Sequence, residues 1–274
     1  MKWHLKLFDF YIKASIHVAL AVLGFVYLTS YYLNNPPDKN LSFFLFFATI
    51  PSYNFIKYGV EARKFLFVPN RYQQSIQIFS FVCFAIACYF AFLLSLDTYI
   101  GLVVLGVLIG LYALPLFPTS RNLRSLGILK VIIVGLVWTG ATIFLPILEE
   151  GRSISWDVYI EGVQRFLVIL ILMIPFEIRD LSSDFPELKT LPQRVGIAQT
   201  RIIGGCLALF FYAVTFLKDT GTPMEWGSKG LLFLVMLLLM VYTPEKQTKY
   251  FASFWVEAVP IFWLGALWLG NFFF

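Results

Sequence analysis

Residues 166–184 read FLVILILMIPFEIRDLSSD, and this stretch decides the fold class. It begins as an unbroken apolar run and ends with four charged residues in its last eight positions. Together with the residues from Val158 onward, the run supplies the roughly 20 residues that an α-helix needs to cross a bilayer. Because lipid offers the backbone no hydrogen-bond partner, we predict a transmembrane helix over residues 158–184 with a polar end at the membrane surface.

Similar apolar runs occur along the whole chain. Of its 274 residues, 59% are hydrophobic and 14% are charged, whereas soluble domains contain roughly 45–50% apolar and about 25% charged residues. This composition excludes a soluble protein. We predict an all-α polytopic membrane protein that forms a single domain over residues 1–274. Its nine candidate transmembrane helices are residues 11–33, 41–65, 74–96, 98–116, 126–148, 158–184, 200–217, 229–242 and 251–273.

The distribution of basic residues predicts the orientation of these helices. Sixteen of the 21 Lys and Arg residues fall in one set of alternate connections and five in the other. Since cytoplasmic loops are enriched in Lys and Arg, we predict a cytoplasmic N-terminus in an integral, multi-pass protein, with the plasma (inner) membrane as the simplest location. The net charge of +5 is then mostly a topology signal, so we expect the lipid bilayer and no nucleic acid as a partner.

A cluster of acidic residues ends the sixth candidate helix. Glu177, Asp180 and Asp184 are three and four residues apart, so on a helix they share one face. Ionisable residues at the end of a membrane span indicate a functional site, and carboxylates suit Mg²⁺ bound together with substrate phosphates. The basic residues around the cluster are candidates to hold those phosphates: Arg179, Lys189, Arg194 and Arg201. An ordinary helix end, solvated in the cytoplasm, is the alternative.

The sequence that continues from this cluster resembles a known family. Arg179-Asp180-Leu-Ser-Ser-Asp184 is followed by Lys189-Thr-Leu-Pro-Gln-Arg-Val-Gly196. This order resembles the second Asp-rich motif of the UbiA superfamily of intramembrane prenyltransferases, where R-D-x-x-x-D on the sixth helix precedes a K-T-L-P-x-x-x-G loop. The nine-helix, N-inside architecture of that family matches the topology predicted above. The resemblance therefore implies a UbiA-like helical bundle.

The first motif of the family, N-x-x-x-D-x-x-x-D on the second helix, is degenerate in this chain. Asn54 is present, but Tyr58 and Ala62 stand at the two Asp positions. Glu61 and Lys57 lie near the same helix face. The resemblance implies Asn54 as a metal ligand and Glu61 as a substitute ligand, while a simple ion pair between Lys57 and Glu61 is the alternative.

Two further features of the sequence bear on the site. The segment from Tyr112 to Lys130 is similar to a family segment whose basic residues contact diphosphate, although the bias of basic residues toward the cytoplasm also explains Arg121. Glu257 lies within the last candidate helix, where a carboxylate is costly. It faces a cavity, pairs with a basic group on another helix, or lies near the outer interface.

The resemblance implies transfer of a prenyl group from a polyprenyl diphosphate to an aromatic or lipid acceptor, with Mg²⁺ as cofactor. Asp180 and Asp184 would be the catalytic metal ligands. The implied diphosphate-binding residues are Lys57, Arg121, Lys130, Arg179 and Lys189. Two alternatives stay open: an eroded family member that binds a lipid diphosphate or acts as a scaffold, and a transporter. The charges gather at one face, which argues against a transporter, because transporters place ionisable residues near the membrane midplane in both halves. Glu257 keeps that alternative open.

Overall fold

The described part of the chain, in a computed structural model, comprises residues 3–60, 70–113, 127–185 and 188–273. All regular secondary structure in these ranges is helical, as the composition predicts. The α-helices are α1 (Trp3–Lys13), α2 (Ile16–Tyr32), α3 (Lys39–Asn54), α4 (Arg71–Ala91), α5 (Leu96–Ala113), α6 (Ile128–Thr139), α7 (Leu145–Glu149), α8 (Trp156–Asp180), α9 (Leu191–Val214), α10 (Pro223–Tyr242) and α11 (Val259–Phe273). π-Helical turns extend α3 over Phe55–Val60, join α6 to α7 and precede α11.

Each of the nine predicted spans corresponds to a helical segment in the described residues. Seven of these segments are long and apolar enough to cross a membrane, and the bent pair of α1 and α2 raises the number to eight. The second predicted span is divided into α3 and its π-helical turn, which follows the internal Pro51. The prediction of an integral, multi-pass helical protein is therefore confirmed.

The first predicted span differs from the structure at its start. Residues 11–33 are predicted as one helix, but the chain bends by 56° between α1 and α2. Ser15 adopts a left-handed conformation there, with φ of 61°, and its hydroxyl donates to Asn54 Oδ1 at 2.8 Å. The hydrogen bond from a distant helix holds a bend that the local apolar pattern does not reveal.

Helix α8 is the centre of the bundle. In the most apolar 18-residue stretch of α8, 72% of the residues are buried, compared with 17% in the corresponding stretches of α4 and α5. The largest core cluster joins α8 to α2, α9, α10 and α11, and Phe25, Val168 and Phe211 in it are fully buried. Helices α4 and α5 expose most of their apolar surface, as lipid-facing helices do. The central position of α8 places its polar end, at Asp180, beside several other helix ends.

Candidate functional site

A cavity of about 470 Å³ opens at the Asp180 end of α8. This volume lies within the range of small-molecule sites. Side chains of α2, α6 and α8, such as Phe25, Trp138 and Leu172, form its apolar wall. Its charged lining consists of five basic and four acidic side chains: Lys13, Lys57, Lys130, Arg179, Lys249, Asp9, Glu177, Asp180 and Glu257. The cavity thus joins a charged region to an apolar one.

Lys130 lies between two of the carboxylates of the acidic cluster. Its Nζ is 2.6 Å from Glu177 Oε1 and 3.7 Å from Asp184 Oδ2. The Glu177 side chain is 4% exposed, and its second oxygen, Oε2, has no hydrogen-bond partner among the described residues. The structure therefore brings together Lys130 and Asp184, which were predicted for different roles.

Gly127 fixes where the helix that carries Lys130 begins. Its φ is +53°, and a Cβ there would collide with the backbone carbonyl oxygens of Leu188 and Lys189. Only glycine combines this conformation with so close an approach. The approach holds the start of α6 against the loop that follows the acidic cluster.

Asp180 is paired with its neighbour in sequence. Arg179 donates from Nε to Oδ1 at 2.7 Å and from Nη2 to Oδ2 at 3.0 Å, and its guanidinium lies 5.0 Å from the centre of the Phe176 ring. Both charged side chains are more than one-third exposed and line the cavity. Because α8 ends at Asp180, Asp184 lies in the following turn and the two aspartates contact different cations.

Asn54 serves in the structure as a buried hydrogen-bonding centre. Besides accepting from Ser15, it donates from Nδ2 to the carbonyl oxygen of Ala14 at 3.1 Å and to Ser80 Oγ at 2.8 Å. It is 4% exposed and is not part of the cavity lining. Its predicted role as a metal ligand stays a prediction.

The other predicted residues are distributed as follows. Lys57 lines the cavity. Lys189 has a positive φ of 52° and its carbonyl oxygen accepts from Arg194 Nε at 2.8 Å, but its side chain is not part of the lining. Glu61 and Arg121 lie outside the described residues.

The loop after the acidic cluster starts helix α9. Thr190 is the N-cap residue, and its backbone N–H donates to Gln193 Oε1 at 2.9 Å, as in a capping box. Pro192 occupies the first turn, where a missing N–H is tolerated. Gly196, with φ of 81°, kinks the helix one turn later. The Thr, Pro and Gly of this segment therefore have local backbone roles.

Glu257 lines the cavity from the turn before α11, which is the first of the alternatives left open for it. Among the described residues, no hydrogen bond or ion pair holds its carboxylate, and its electrostatic neighbours include Lys57 and Arg179. Two other lining residues contact each other: Trp138 Nε1 donates to Tyr53 Oη at 2.7 Å. The signal for Glu257 in the sequence is a lone carboxylate within an apolar span.

The described carboxylates do not fit a magnesium site. Within the described ranges, no group of three His, Cys, Asp or Glu side chains is arranged to hold a metal ion. Asp180 uses both oxygens to bind Arg179, and the Lys130 ammonium lies between Glu177 and Asp184. Mg²⁺ requires nearly octahedral oxygen ligands. The predicted Mg²⁺ stays a prediction.

A second charged cluster, which we call the outer cluster, lies in the opposite half of the bundle. It consists of Glu161, Lys218, Glu225 and Lys229, whose side chains are at most 3% exposed. Glu161 lies 19 residues before Asp180 on α8, or roughly 28 Å along the helix at 1.5 Å per residue. The expectation that charges gather at one face is therefore wrong for the described residues.

Every N–H of both ammonium groups in the outer cluster has an acceptor. Lys218 Nζ is 3.1 Å from Glu161 Oε1, 2.8 Å from Glu225 Oε1 and 3.1 Å from the carbonyl oxygen of Tyr32. Lys229 Nζ bonds the same two carboxylates and Gln164 Oε1. Burial alone would lower the pKa of Lys218, but Glu161 and Glu225 outweigh it and raise this pKa above its ordinary value.

Arg165 lies between the outer cluster and the cavity. Its guanidinium donates to the carbonyl oxygen of Phe25, Thr142 Oγ1 and Thr29 Oγ1, and it stacks 4.0 Å from the centre of the Phe25 ring. Phe25 also lines the cavity. This ring separates the two charged regions.

No protein-family model and no curated protein match the sequence. Among solved structures, the chain is similar to a UbiA homologue from Archaeoglobus fulgidus, with a TM-score of 0.49 and 12% sequence identity. The similarity covers 95% of this chain and 94% of that chain.

Proposed function

We propose that this chain is a UbiA-type membrane prenyltransferase, which transfers a prenyl group from a polyprenyl diphosphate to an aromatic or lipid acceptor. One observation carries the proposal: the cavity joins basic side chains to an apolar, aromatic wall inside a membrane bundle. A polyprenyl diphosphate has the same division between an anionic head and an apolar chain. The R-D-x-x-x-D segment at the mouth supports the same assignment.

The lining residues match the charges that develop during transfer. When the bond between the allylic carbon and the diphosphate oxygen breaks, negative charge grows on the diphosphate and positive charge on the carbon. Lys130 and Arg179 neutralise the negative charge on the diphosphate. Phe25 and Phe176 already have a guanidinium near their rings. We assign the allylic cation to Trp138, because an indole ring gives the strongest cation–π attraction among the aromatic side chains of the lining.

Glu257 completes the reaction as the proton acceptor. As the acceptor forms its new bond to the allylic carbon, its O–H or ring C–H proton has to leave. The carboxylate of Glu257 lines the cavity and is not held by a described hydrogen bond or ion pair. It takes this proton while the diphosphate departs with the electrons of the broken bond.

Diphosphate release by the purified protein in lipid nanodiscs tests the proposal. Farnesyl diphosphate is supplied with a lipid and quinone extract as acceptor, with and without Mg²⁺. We expect release in the wild type, and binding with at least about tenfold slower release in Glu257→Gln. Lys39→Met, at the far end of the bundle, is the control. Binding without release under all conditions favours the eroded lipid-diphosphate binder, and absence of binding contradicts both.

The outer cluster gives one reason to retain transport as a second candidate, because transporters carry ionisable residues in both halves. Its closed set of hydrogen bonds opposes the motion that alternating access requires. Flux of farnesyl diphosphate into sealed proteoliposomes, without release of diphosphate, would favour transport over transfer.

A further inference from the structure

We propose that the cavity binds the diphosphate head through Lys130 and Arg179 without a metal ion, and that Glu177 and Asp180 position these two cations. The inference rests on the proposed function, because it concerns the same substrate head. It assigns to the carboxylates the opposite role from the one that the Asp-rich motif implies.

Lys130 has the geometry of a phosphate-binding cation. Its ammonium carries three N–H donors. Glu177 takes one at 2.6 Å, while Asp184 at 3.7 Å is beyond hydrogen-bond distance. The side chain is 15% exposed and lines the cavity. The ion pair therefore aims Lys130 and, among the described residues, leaves it donors for an anion.

Arg179 is held in the same way. A guanidinium carries five N–H donors in a rigid plane, and Asp180 accepts two of them. The neighbouring Phe176 ring restricts the plane further. Within the described part of the chain, three donors remain on this side chain, which is 37% exposed. This fork suits the bidentate binding of phosphate oxygens.

The same contacts oppose a metal ion among these groups. A divalent cation at Asp180 would compete with the Arg179 guanidinium for the carboxylate oxygens, and one between Glu177 and Asp184 would compete with the Lys130 ammonium. The described charged lining has one more basic than acidic side chain. An anion is therefore attracted without further charge, and loss of one carboxylate increases the attraction.

The two possible roles of the carboxylates predict opposite effects on anion binding. Loss of a metal ligand would weaken the binding, whereas loss of a negative charge beside a binding cation would not. Inorganic pyrophosphate and farnesyl thiolodiphosphate, which resists cleavage, are titrated calorimetrically into nanodiscs in EDTA and again in Mg²⁺. We expect the Kd of the wild type to change by less than about threefold between the two conditions. Asp180→Asn and Glu177→Gln keep a side-chain oxygen that accepts from Arg179 or Lys130 but lose the negative charge, so they are expected to bind as tightly as the wild type or more tightly. Lys130→Met is expected to weaken binding about tenfold or more.

Controls separate binding from folding. Lys130→Met leaves Glu177 buried without its cation, so Lys130→Met/Glu177→Gln, which removes both charges, has to show the same loss of binding with normal thermal stability. Lys39→Met removes an equal charge at the far end and is expected to bind normally.

Failure of this inference is distinguishable from failure of the proposed function. Binding that requires Mg²⁺, or that Asp180→Asn abolishes, overturns the metal-free site and leaves the prenyltransferase proposal intact. Binding in EDTA by a protein that never releases diphosphate supports the site and contradicts the enzyme. Absence of binding under both conditions overturns both.

Discussion

The outer cluster and the cavity contain the same kinds of charged side chain but differ in how far their hydrogen-bonding groups are satisfied. In the outer cluster, two ammonium groups and two carboxylates are almost fully buried, and every ammonium N–H has an acceptor. In the cavity, Lys130 and Arg179 retain donors, and Glu257 faces the space without a described ion-pair partner. Charge in a membrane bundle is therefore used here in two ways.

The difference has a thermodynamic basis. A buried charge without a partner costs several kcal/mol, so a cluster that only supports the fold must satisfy every member. A binding site has to keep some donors and acceptors unsatisfied, because the ligand supplies their partners. Saturation of hydrogen bonds thus separates a structural cluster from a candidate site more reliably than the presence of charge does.

The largest effect is expected from Lys229→Met in the outer cluster. The change leaves Glu161 and Glu225 buried with Lys218 as the remaining ammonium, and it is expected to lower the free energy of unfolding by about 3–5 kcal/mol. Unfolding in mixed micelles of increasing SDS content measures it. Lys229→Met/Glu225→Gln restores the charge balance and is expected to lose less. Equal stability of Lys229→Met and the wild type would contradict the structural role.

Asn54→Ala tests a residue that the sequence assigns to the site and the structure assigns to the fold. The change removes three hydrogen bonds that hold the bend between α1 and α2 to α3 and α4, at a cost of about 2 kcal/mol. The same SDS unfolding assay measures it, with pyrophosphate binding as the second readout. Weaker binding at unchanged stability would instead support the predicted ligand role.

These cases show which parts of the molecule the sequence predicts. The apolar run of α8 and its charged end are local patterns, so the transmembrane helix and the position of Asp180 are predictable. The partners of Lys218 and Lys229 on α8 are 57 and 68 residues away, and Ser15 is 39 residues from Asn54. No local pattern encodes such contacts, so basic residues of a closed network resemble ordinary topology signals, and a hydrogen-bonded Asn resembles a ligand.

Glu257→Leu is expected to stabilise the protein, in contrast to Lys229→Met and Asn54→Ala. Since no described hydrogen bond or ion pair compensates this carboxylate, its removal is expected to raise the free energy of unfolding by about 1 kcal/mol while abolishing prenyl transfer. Glu225→Leu makes the same substitution in the outer cluster and is expected to destabilise the protein. Similar destabilisation by both variants would contradict the distinction between the two regions.

The smallest effect is expected at the mouth of the cavity, where Lys249 pairs with Asp9 at 2.5 Å and its side chain is 62% exposed. Hydrogen bonds with Asp9 and Tyr250 raise the pKa of Lys249. A raised pKa means that the pair stabilises the fold while the lysine is charged, and that this contribution is lost as the pH rises above the ordinary lysine value of about 10.4.

At neutral pH, Lys249→Met is expected to melt at nearly the wild-type temperature, because solvent screens exposed pairs. Thermal melts at pH 7 and pH 11 measure both effects. Any difference between wild type and variant is expected to shrink at the higher pH, and a difference of the same size at both pH values would show that Lys249 contributes by packing and not by charge.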